Sequence, residues 1–378
     1  MTRTIRYGTF DAGDHSFGSF VCHQWAAAAQ ALRLPRDGAR QTESLLREIL
    51  ADWFDAPVGR ACHTPSYVAA DGFPAELSVN WSGAHPELRV LFDAGFRSPR
   101  PTDTAREVTR ALAGRPGVGL DRYLSVEDVF LGDTGHEPAP LWHALAWRPG
   151  EGLTLKAYFG LYPWDHPRRE AVIGQAMERL GMGAAWRNTT RDHGALPGDR
   201  ELEFFALDLS DAPGARAKVY YRHHDADLDT LDAVASTARA HDPLRASEVF
   251  RMLAGPHHDT GGEAPLTCLA FRGGADRADE ASTYLRMPDL CENEREATRR
   301  VEAVLLEEGI PTGPYRALVD SLAPQPLDTF TGLQELVSFR TGRRRGDVTT
   351  YLRFSVYPGP HPDAHVPQRA GAAEPSPL

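Results

Sequence analysis

Several segments of the chain alternate between polar and apolar side chains, which is the period of a β-strand with two unlike faces. In the segment 216–221, Arg216, Lys218 and Tyr220 fall on one face, while apolar or aromatic residues occupy the other. Two cations and a phenol are unusual on a core face, and the flanking residues are too apolar for a solvent-exposed strand. The pattern predicts a strand whose polar face lines an enclosed, wet cavity and whose apolar face packs outward on helices.

The same kind of strand recurs along the chain. Successive copies are separated by 62 to 67 residues, measured at the positions Arg89, Lys156, Lys218, Tyr220, Tyr284 and Tyr351. An internal period of this size indicates a repeated supersecondary unit. Five such units would line one cavity with a ring of cations and tyrosines.

Apolar residues at helical spacing precede the paired strands. The first unit is predicted to contain helices over residues 17–34 and 42–54 and strands near 65–70, 74–82 and 87–93. A single helix near 167–181 opens the third unit, and the other later units open with two. The later strands are predicted near 141–148, 153–161, 201–209, 215–222, 265–272, 281–287, 332–340 and 347–357.

The order of elements is therefore two helices and two strands, repeated about five times. Short loops rich in glycine and proline, such as residues 149–152, favour antiparallel hairpins between consecutive strands. Ten antiparallel strands can close into a barrel that helices cover on the outside. We expect an α+β protein in which residues 1–358 form one barrel domain and the Pro- and Ala-rich residues 359–378 form a disordered tail.

Composition narrows the possible partners. The 378 residues are 42% hydrophobic and 25% charged, with a formal net charge of −11, which disfavours nucleic acid or an anionic membrane as a partner. The first 20 residues lack the apolar region of a signal peptide, and no apolar run approaches the ~20 residues of a membrane span. The scattered cysteines are typical of reduced thiols. We expect a cytoplasmic protein, either a monomer or a homodimer.

The recurring cations predict an anionic ligand, because like charges are costly to cluster without one. Diphosphate suits the cluster better than a lone carboxylate, which two cations would satisfy. The alternative is that these side chains form salt bridges within the barrel, to Glu203, Asp208 or Glu76. The candidate cations are Arg89, Lys156, Arg216, Lys218, Arg286 and Arg353.

Tyrosines recur on the same strand faces as the cations. Aromatic faces stabilise a cation by about 0.5–2 kcal/mol each and help to exclude water. Together the two residue types would suit transfer of an allylic group, with a leaving diphosphate beside a carbocation. The alternative is ordinary strand tyrosines. The candidates are Tyr158, Tyr220, Tyr284, Tyr351 and Tyr357.

These motifs, taken in order, resemble the indole prenyltransferases of the dimethylallyltryptophan synthase type, and most closely their bacterial members. The resemblance spans residues 15–358 and rests on the motif Glu76-Leu-Ser-Val-Asn, Arg89, Lys156-x-Tyr158, Arg216-x-Lys218-x-Tyr220, Tyr284 and the last strand with Tyr351 and Tyr357. It implies the ABBA fold, a ten-stranded antiparallel barrel of ααββ repeats. It also implies an enzyme that moves a dimethylallyl group from dimethylallyl diphosphate to an indole carbon without requiring Mg²⁺ or another cofactor.

The resemblance further implies roles for individual residues. Glu76 would accept the indole N–H, the cations would hold the diphosphate with help from Tyr220, Tyr284 and Tyr351, and all five tyrosines would shield the allyl cation. Several fungal members carry a lysine base on the strand before Lys156, and His143 is the expected equivalent here, unless it is a structural histidine.

The substrates stay open within this class. L-Tryptophan is the leading acceptor, with attack at C6 or at its neighbours C5 and C7. Another indole natural product, a cyclic dipeptide, or geranyl diphosphate as donor are alternatives. Outside the class, a non-catalytic barrel for an anionic aromatic ligand is possible, as is a metal hydrolase built on His223 and Asp225. We expect no metal site, because neighbouring histidines on a strand point to opposite faces.

Overall fold

The computed structural model describes residues 15–132, 140–196, 198–224, 226–255, 265–342 and 346–359. Ten strands in this part of the chain form one closed barrel, in which each strand is antiparallel to its sequence neighbours and β1 pairs with β10. The strands are β1 (Ala75–Asn80), β2 (Glu87–Phe92), β3 (Leu141–Arg148), β4 (Gly152–Gly160), β5 (Asp199–Asp208), β6 (Ala217–His224), β7 (Leu266–Phe271), β8 (Glu280–Arg286), β9 (Gln334–Phe339) and β10 (Val348–Leu352). The predicted ten-stranded antiparallel barrel is confirmed.

Helices surround the barrel. They are α1 (Phe17–Ala31), α2 (Arg36–Ile49), α3 (Ala51–Phe54), α4 (Pro101–Ala111), α5 (Asp121–Leu124), α6 (Glu127–Leu131), α7 (His166–Arg179), α8 (Gly183–Gly194), α9 (Leu228–Ala235), α10 (Pro243–Ala254), α11 (Met287–Leu290), α12 (Glu294–Glu307) and α13 (Gly313–Leu322). Each pair of strands thus follows a group of helices, which is the predicted repeat.

The main hydrophobic core lies between the barrel and the helices. Leu77 and Val79 of β1 are completely buried on the outer face of the strand. Trp81, one residue beyond the same strand, packs edge-on against Tyr315 of α13 with ring centroids 5.7 Å apart. Because the apolar faces are buried outside, the alternating polar residues are left to line the inside of the barrel.

Some predicted elements differ from the structure. The predicted strand at 65–70 is wrong, because these residues form turns and bends ahead of β1. An additional helix, α8, follows α7 where a single helix was predicted. The last strand ends at Leu352 instead of continuing to residue 357, and Ser355 adopts a positive φ of 50° beyond it. Of the expected tail, residues 360–378 lie outside the described residues, as do residues 1–14.

Candidate active site

The barrel encloses a cavity of about 210 Å³ that continues into a narrower extension of about 40 Å³. We call the narrow part the cationic end, because it is lined by Arg89, Lys156, Arg216, Lys218 and Arg340. We call the opposite part the mixed-charge end, because it is lined by Glu76, Glu203, Arg222, Arg286 and Glu335. Four tyrosines separate the two ends.

Four of the predicted cations, Arg89, Lys156, Arg216 and Lys218, meet at the cationic end. Sequence reasoning missed Arg340, which lies one residue beyond β9 and continues the inward face of Ser338. The alternation of that strand could have identified it, because Arg340 is two residues from a polar position on the same face.

Each arginine at this end has an acidic partner. Arg216 donates through Nε to Asp208 at 2.9 Å, Arg89 pairs with Glu87, and Arg340 pairs with Glu280 and Asp347. The alternative expectation of salt bridges within the barrel therefore describes Arg216 correctly. These pairs hold the guanidinium groups in place while reducing the net positive charge that the cavity presents.

The two lysines differ from the arginines, because no carboxylate of the described residues lies within 4.0 Å of either ammonium group. Burial and the neighbouring charge of Arg89 hold the pKa of Lys156 well below its usual value. Burial and the charge of Arg216 lower the pKa of Lys218 to about 8. An anionic ligand with several oxygens would relieve both effects.

The tyrosine belt comprises Tyr158, Tyr220, Tyr284 and Tyr351, which follow one another around the wall with ring centroids 6.2, 6.0 and 5.7 Å apart. All four line both parts of the cavity. Burial raises the pKa of each phenol above its usual value, so the hydroxyl groups remain neutral. The belt therefore offers electron-rich faces between the two ends.

A β-bulge in β9 places Glu335 in the cavity. Tyr351 is opposite Leu336 and Leu352 is opposite Gln334, so Glu335 has no residue opposite it. Gln334 instead turns outward and donates to Glu294 of α12 at 3.0 Å. The bulge reverses the alternation along the strand, which is why the sequence pattern alone missed Glu335.

A second bulge, in β5, has the same effect on Glu203. Tyr221 is opposite Leu202 and Tyr220 is opposite Phe204, so Glu203 is the extra residue. Glu203 and Phe204, although adjacent, both line the cavity. Bulges of this kind are common beside active sites, where they redirect a side chain.

Each glutamate on a bulge pairs with an arginine of the neighbouring strand. Arg222 donates to Glu203 through Nε at 2.7 Å and through Nη2 at 2.6 Å. Arg286 donates through Nε to Glu335 at 2.7 Å and through Nη1 to Asp289 at 2.7 Å. The mixed-charge end thus presents two separate Arg–Glu pairs.

Arg286 was predicted to contact the diphosphate, but it does not lie with the cations of the cationic end. Strand β8 runs from Ser282 at the cationic end to Arg286 at the mixed-charge end. Four residues of an extended strand span about 13 Å. Arg286 is therefore separated from the cation cluster by the tyrosine belt.

Glu76 lies at the mixed-charge end, as a cavity-lining residue of β1 that is only 6% exposed. Burial and the neighbouring Glu335 carboxylate raise its pKa well above the usual range, whereas Arg353 opposes this increase. A buried carboxyl group at the cavity wall is suited to accept a hydrogen bond from a ligand N–H.

The expectation that His143 faces the cavity is wrong. Its neighbours Trp142 and Ala144 line the cavity, so His143 points to the helices. Its Nε2 lies 2.7 Å from the Thr109 hydroxyl of α4, and its ring stacks on Phe92 at 5.7 Å. Burial lowers the pKa of His143 to about 3. The structural alternative is correct, and His143 cannot reach a proton in the cavity.

Two residues predicted on the last strand also lie outside the cavity wall, because β10 ends before them. The Tyr357 hydroxyl donates to the Val58 carbonyl at 3.0 Å, away from the tyrosine belt. Arg353 is fully buried and donates through Nε to the Gly332 carbonyl at 3.1 Å. Neither the predicted cation shield for Tyr357 nor the predicted diphosphate contact for Arg353 agrees with these positions.

The structure bears on two further expectations. Within the described residues, no three histidine, cysteine, aspartate or glutamate side chains are grouped as metal ligands would be. His223 is completely buried, and Asp225 lies outside the described residues. Among the described helices, none has the length and apolar character needed to span a membrane.

A closed ten-stranded barrel wrapped by helices in ααββ order, with cations and tyrosines inside, defines the ABBA class of prenyltransferases. Residues 50–253 match the profile of the tryptophan dimethylallyltransferase family. The chain belongs to this family and is a prenyltransferase. The resemblance inferred from the motifs is thereby confirmed.

Solved structures agree with this assignment. A 6-dimethylallyltryptophan synthase from Micromonospora olivasterospora, in complex with DMASPP and Trp, is 28% identical, with a TM-score of 0.82 over 91% of this chain and 98% of that one. A 5-dimethylallyltryptophan synthase from Streptomyces coelicolor is 27% identical, with a TM-score of 0.82 over 92% and 99%. AnaPT from Neosartorya fischeri, at 15% identity and a TM-score of 0.71 over 90% and 95%, shares the fold.

Proposed function

We propose that this prenyltransferase transfers the dimethylallyl group of dimethylallyl diphosphate to an indole ring carbon of L-tryptophan. The observation that carries the proposal is the order of groups along the cavity. Lysines without a carboxylate partner among the described residues occupy one end, neutral tyrosines the middle, and a buried carboxyl group with two Arg–Glu pairs the other end. Donor, cation and acceptor would therefore each meet a complementary environment.

The diphosphate binds at the cationic end. Lys156 and Lys218 supply positive charge with which no carboxylate of the described residues forms an ion pair, while Arg89 and Arg216 are held in position by their acidic partners. These groups stabilise the charge that develops on the leaving diphosphate, where a metal ion would otherwise be needed. This supports a reaction that does not require Mg²⁺.

The acceptor binds at the mixed-charge end. Glu76 accepts the indole N–H, which orients the ring and increases its nucleophilicity. The two Arg–Glu pairs offer partners for both the ammonium and the carboxylate of a free amino acid. A cyclic dipeptide has neither charge, so these pairs favour L-tryptophan over that alternative.

The reaction then proceeds between the two ends. The bond between the allylic carbon and the diphosphate oxygen breaks, and the tyrosine belt shields the resulting cation from water. An indole ring carbon attacks the cation to form the new carbon–carbon bond. The ring loses its proton to a group that faces the cavity, which excludes His143.

The ring position follows from how the tryptophan side chain is held. We propose C6, with C5 and C7 as alternatives. Similar proteins include both a 6- and a 5-dimethylallyltryptophan synthase. The two are 28% and 27% identical to this chain, so identity does not separate them.

The direct test is incubation of the protein with dimethylallyl diphosphate and L-tryptophan, with and without EDTA. We expect a product heavier by one C5H8 unit in both samples, and NMR of that product gives the ring position. Glu76→Gln serves as the matched control and is expected to reduce turnover sharply while retaining the fold. If product forms only with geranyl diphosphate or only with a cyclic dipeptide, that compound is the substrate instead of the one proposed. No product with any allylic donor and indole would favour a binding barrel instead.

A further inference from the structure

Arg353 lies directly behind the proposed acceptor carboxylate. Leu352, the last residue of β10, is opposite Leu77 of β1. The next residue along each antiparallel strand brings Arg353 level with Glu76. Tyr351 lines the cavity, and the alternation of side chains places Arg353 on the same face of the chain as Tyr351. Because β10 ends at Leu352, Arg353 lies just beyond the end of the barrel wall.

The guanidinium of Arg353 is fixed in this position. It is completely buried, its Nε donates to the Gly332 carbonyl at 3.1 Å, and the same atom is 3.8 Å from a carboxylate oxygen of Glu335. An arginine guanidinium carries a positive charge in proteins. Arg353 therefore places a fixed positive charge beside Glu335 and level with Glu76 in the strand register.

Several described groups close to Glu76 are acidic or neutral. Glu335 of β9 and Asp71 of the loop before β1 both disfavour a charged Glu76, and the neighbour on β10 is the neutral phenol Tyr351. On β2, the residue opposite Glu76 is the uncharged Leu91.

The remaining charges are already engaged with other partners. Arg286 is bonded to both Glu335 and Asp289. Asp71 accepts from the backbone N–H groups of Phe73, Val356 and Tyr357. Arg353 opposes the effect that these carboxyl groups have on Glu76.

We propose that Arg353 is a positioning residue for the acceptor site: its guanidinium, level with Glu76 and beside Glu335, favours the ionised form of Glu76 that accepts the indole N–H, against the carboxyl groups that disfavour it. Arg353 does not contact the substrate and acts through Glu76. The inference rests on the proposed function, in which Glu76 accepts a hydrogen bond from the indole N–H.

The test compares Arg353→Met with Arg353→Lys, using the pH dependence of kcat/KM for L-tryptophan. Removing a nearby opposite charge raises the pKa of a carboxyl group by about one to three units. In the pH profile of Arg353→Met, we expect the acid limb, where kcat/KM rises with pH, to move to higher pH by that amount. At pH values above this limb, kcat/KM should recover. Arg353→Lys retains a charge and should keep its acid limb near that of the wild type.

Two controls separate electrostatics from loss of structure. Arg148→Met removes another buried guanidinium, one that donates to the backbone near the other end of β1, and should leave the acid limb unmoved. 1-Methyl-L-tryptophan lacks the N–H that Glu76 accepts, so the shift of Arg353→Met should disappear with this substrate.

Glu335→Gln provides a second variant in case Arg353→Met does not fold. It removes a negative charge beside Glu76, so its acid limb should move to lower pH, in the direction opposite to Arg353→Met. An unshifted limb in the variants, or a uniform loss of rate at every pH, would overturn the inference. A wild-type protein that forms no prenylated indole would instead reject the proposed function, before any variant is compared.

Discussion

Arg222 donates two hydrogen bonds to Glu203, at 2.7 and 2.6 Å, and only a bulge in β5 turns Glu203 toward this partner. The pair is partly buried at the mixed-charge end, where a second pair, Arg286 and Glu335, repeats the arrangement. Breaking one buried charged pair is costly unless a ligand supplies the missing partner. These pairs therefore suit a ligand that carries both charges.

Arg222→Met tests recognition of the free amino acid. Loss of a charged hydrogen bond of this kind costs about 1.5–3 kcal/mol, so we expect KM for L-tryptophan to rise about 10- to 150-fold. Tryptamine lacks the carboxylate, so its KM should change little in this variant. Steady-state kinetics with both substrates measures the difference. The double variant Arg222→Met/Glu203→Leu removes the unpaired carboxylate and should keep the same discrimination. An equal loss for both substrates would argue against carboxylate recognition.

Lys156→Met and Lys218→Met test donor binding. Because no described carboxylate pairs with either ammonium, we expect each variant to weaken the binding of inorganic diphosphate about 10-fold or more. Arg340→Met is the matched comparison. Because Arg340 is already paired with Glu280 and Asp347, this substitution should weaken diphosphate binding less. Titration calorimetry gives the three affinities. A larger loss for Arg340→Met would show that the paired guanidinium is the main ligand.

The activity should have a bell-shaped pH dependence. Glu76 must be ionised to bind the indole N–H, and its pKa is raised, so kcat/KM should rise with pH at higher values than for an ordinary glutamate. The lysines must be protonated to bind diphosphate, and the pKa of both is lowered, that of Lys218 to about 8, so kcat/KM for the donor should already fall by about pH 8. Rate measurements across pH at low donor concentration test both limbs. Bound diphosphate favours the ammonium form, so saturating donor should move the alkaline limb upward; a fixed limb would contradict this assignment.

His143 should affect stability instead of turnover. Its pKa is about 3 in the folded protein and near 6.5 when unfolded, so the unfolded state binds a proton that the folded state does not. Its contribution to stability is therefore complete above about pH 6.5 and is lost progressively as the pH falls toward 3. We expect His143→Leu to have a lower Tm than the wild type at neutral pH, because the Thr109 contact is lost. Between pH 7.5 and 5, the Tm of this variant should fall by less than the Tm of the wild type. A kcat reduced by more than about tenfold, with the fold intact, would return His143 to a catalytic role.

Much of the barrel and half of the site could be predicted from the sequence. Strand alternation is a local property, so Lys156, Tyr158, Lys218 and Tyr220 could be placed on inward faces without knowing which strands pair. The repeat of about 65 residues then brought these positions into one ring. His143 was misplaced because β3 is apolar on both faces, buried throughout, and has no alternation to indicate which side is inward.

The repeat, the barrel and the row of cations and tyrosines follow from the local sequence, because they depend on side-chain periodicity within each strand. Which residues share an end of the cavity follows only from the three-dimensional arrangement of the strands. Arg286 is on the predicted face but at the other end, a consequence of strand direction and length. Glu203 and Glu335 reach the cavity only through bulges, and a bulge is set by how two strands pair across space. Pairing register depends on contacts between distant residues, and no local pattern encodes it.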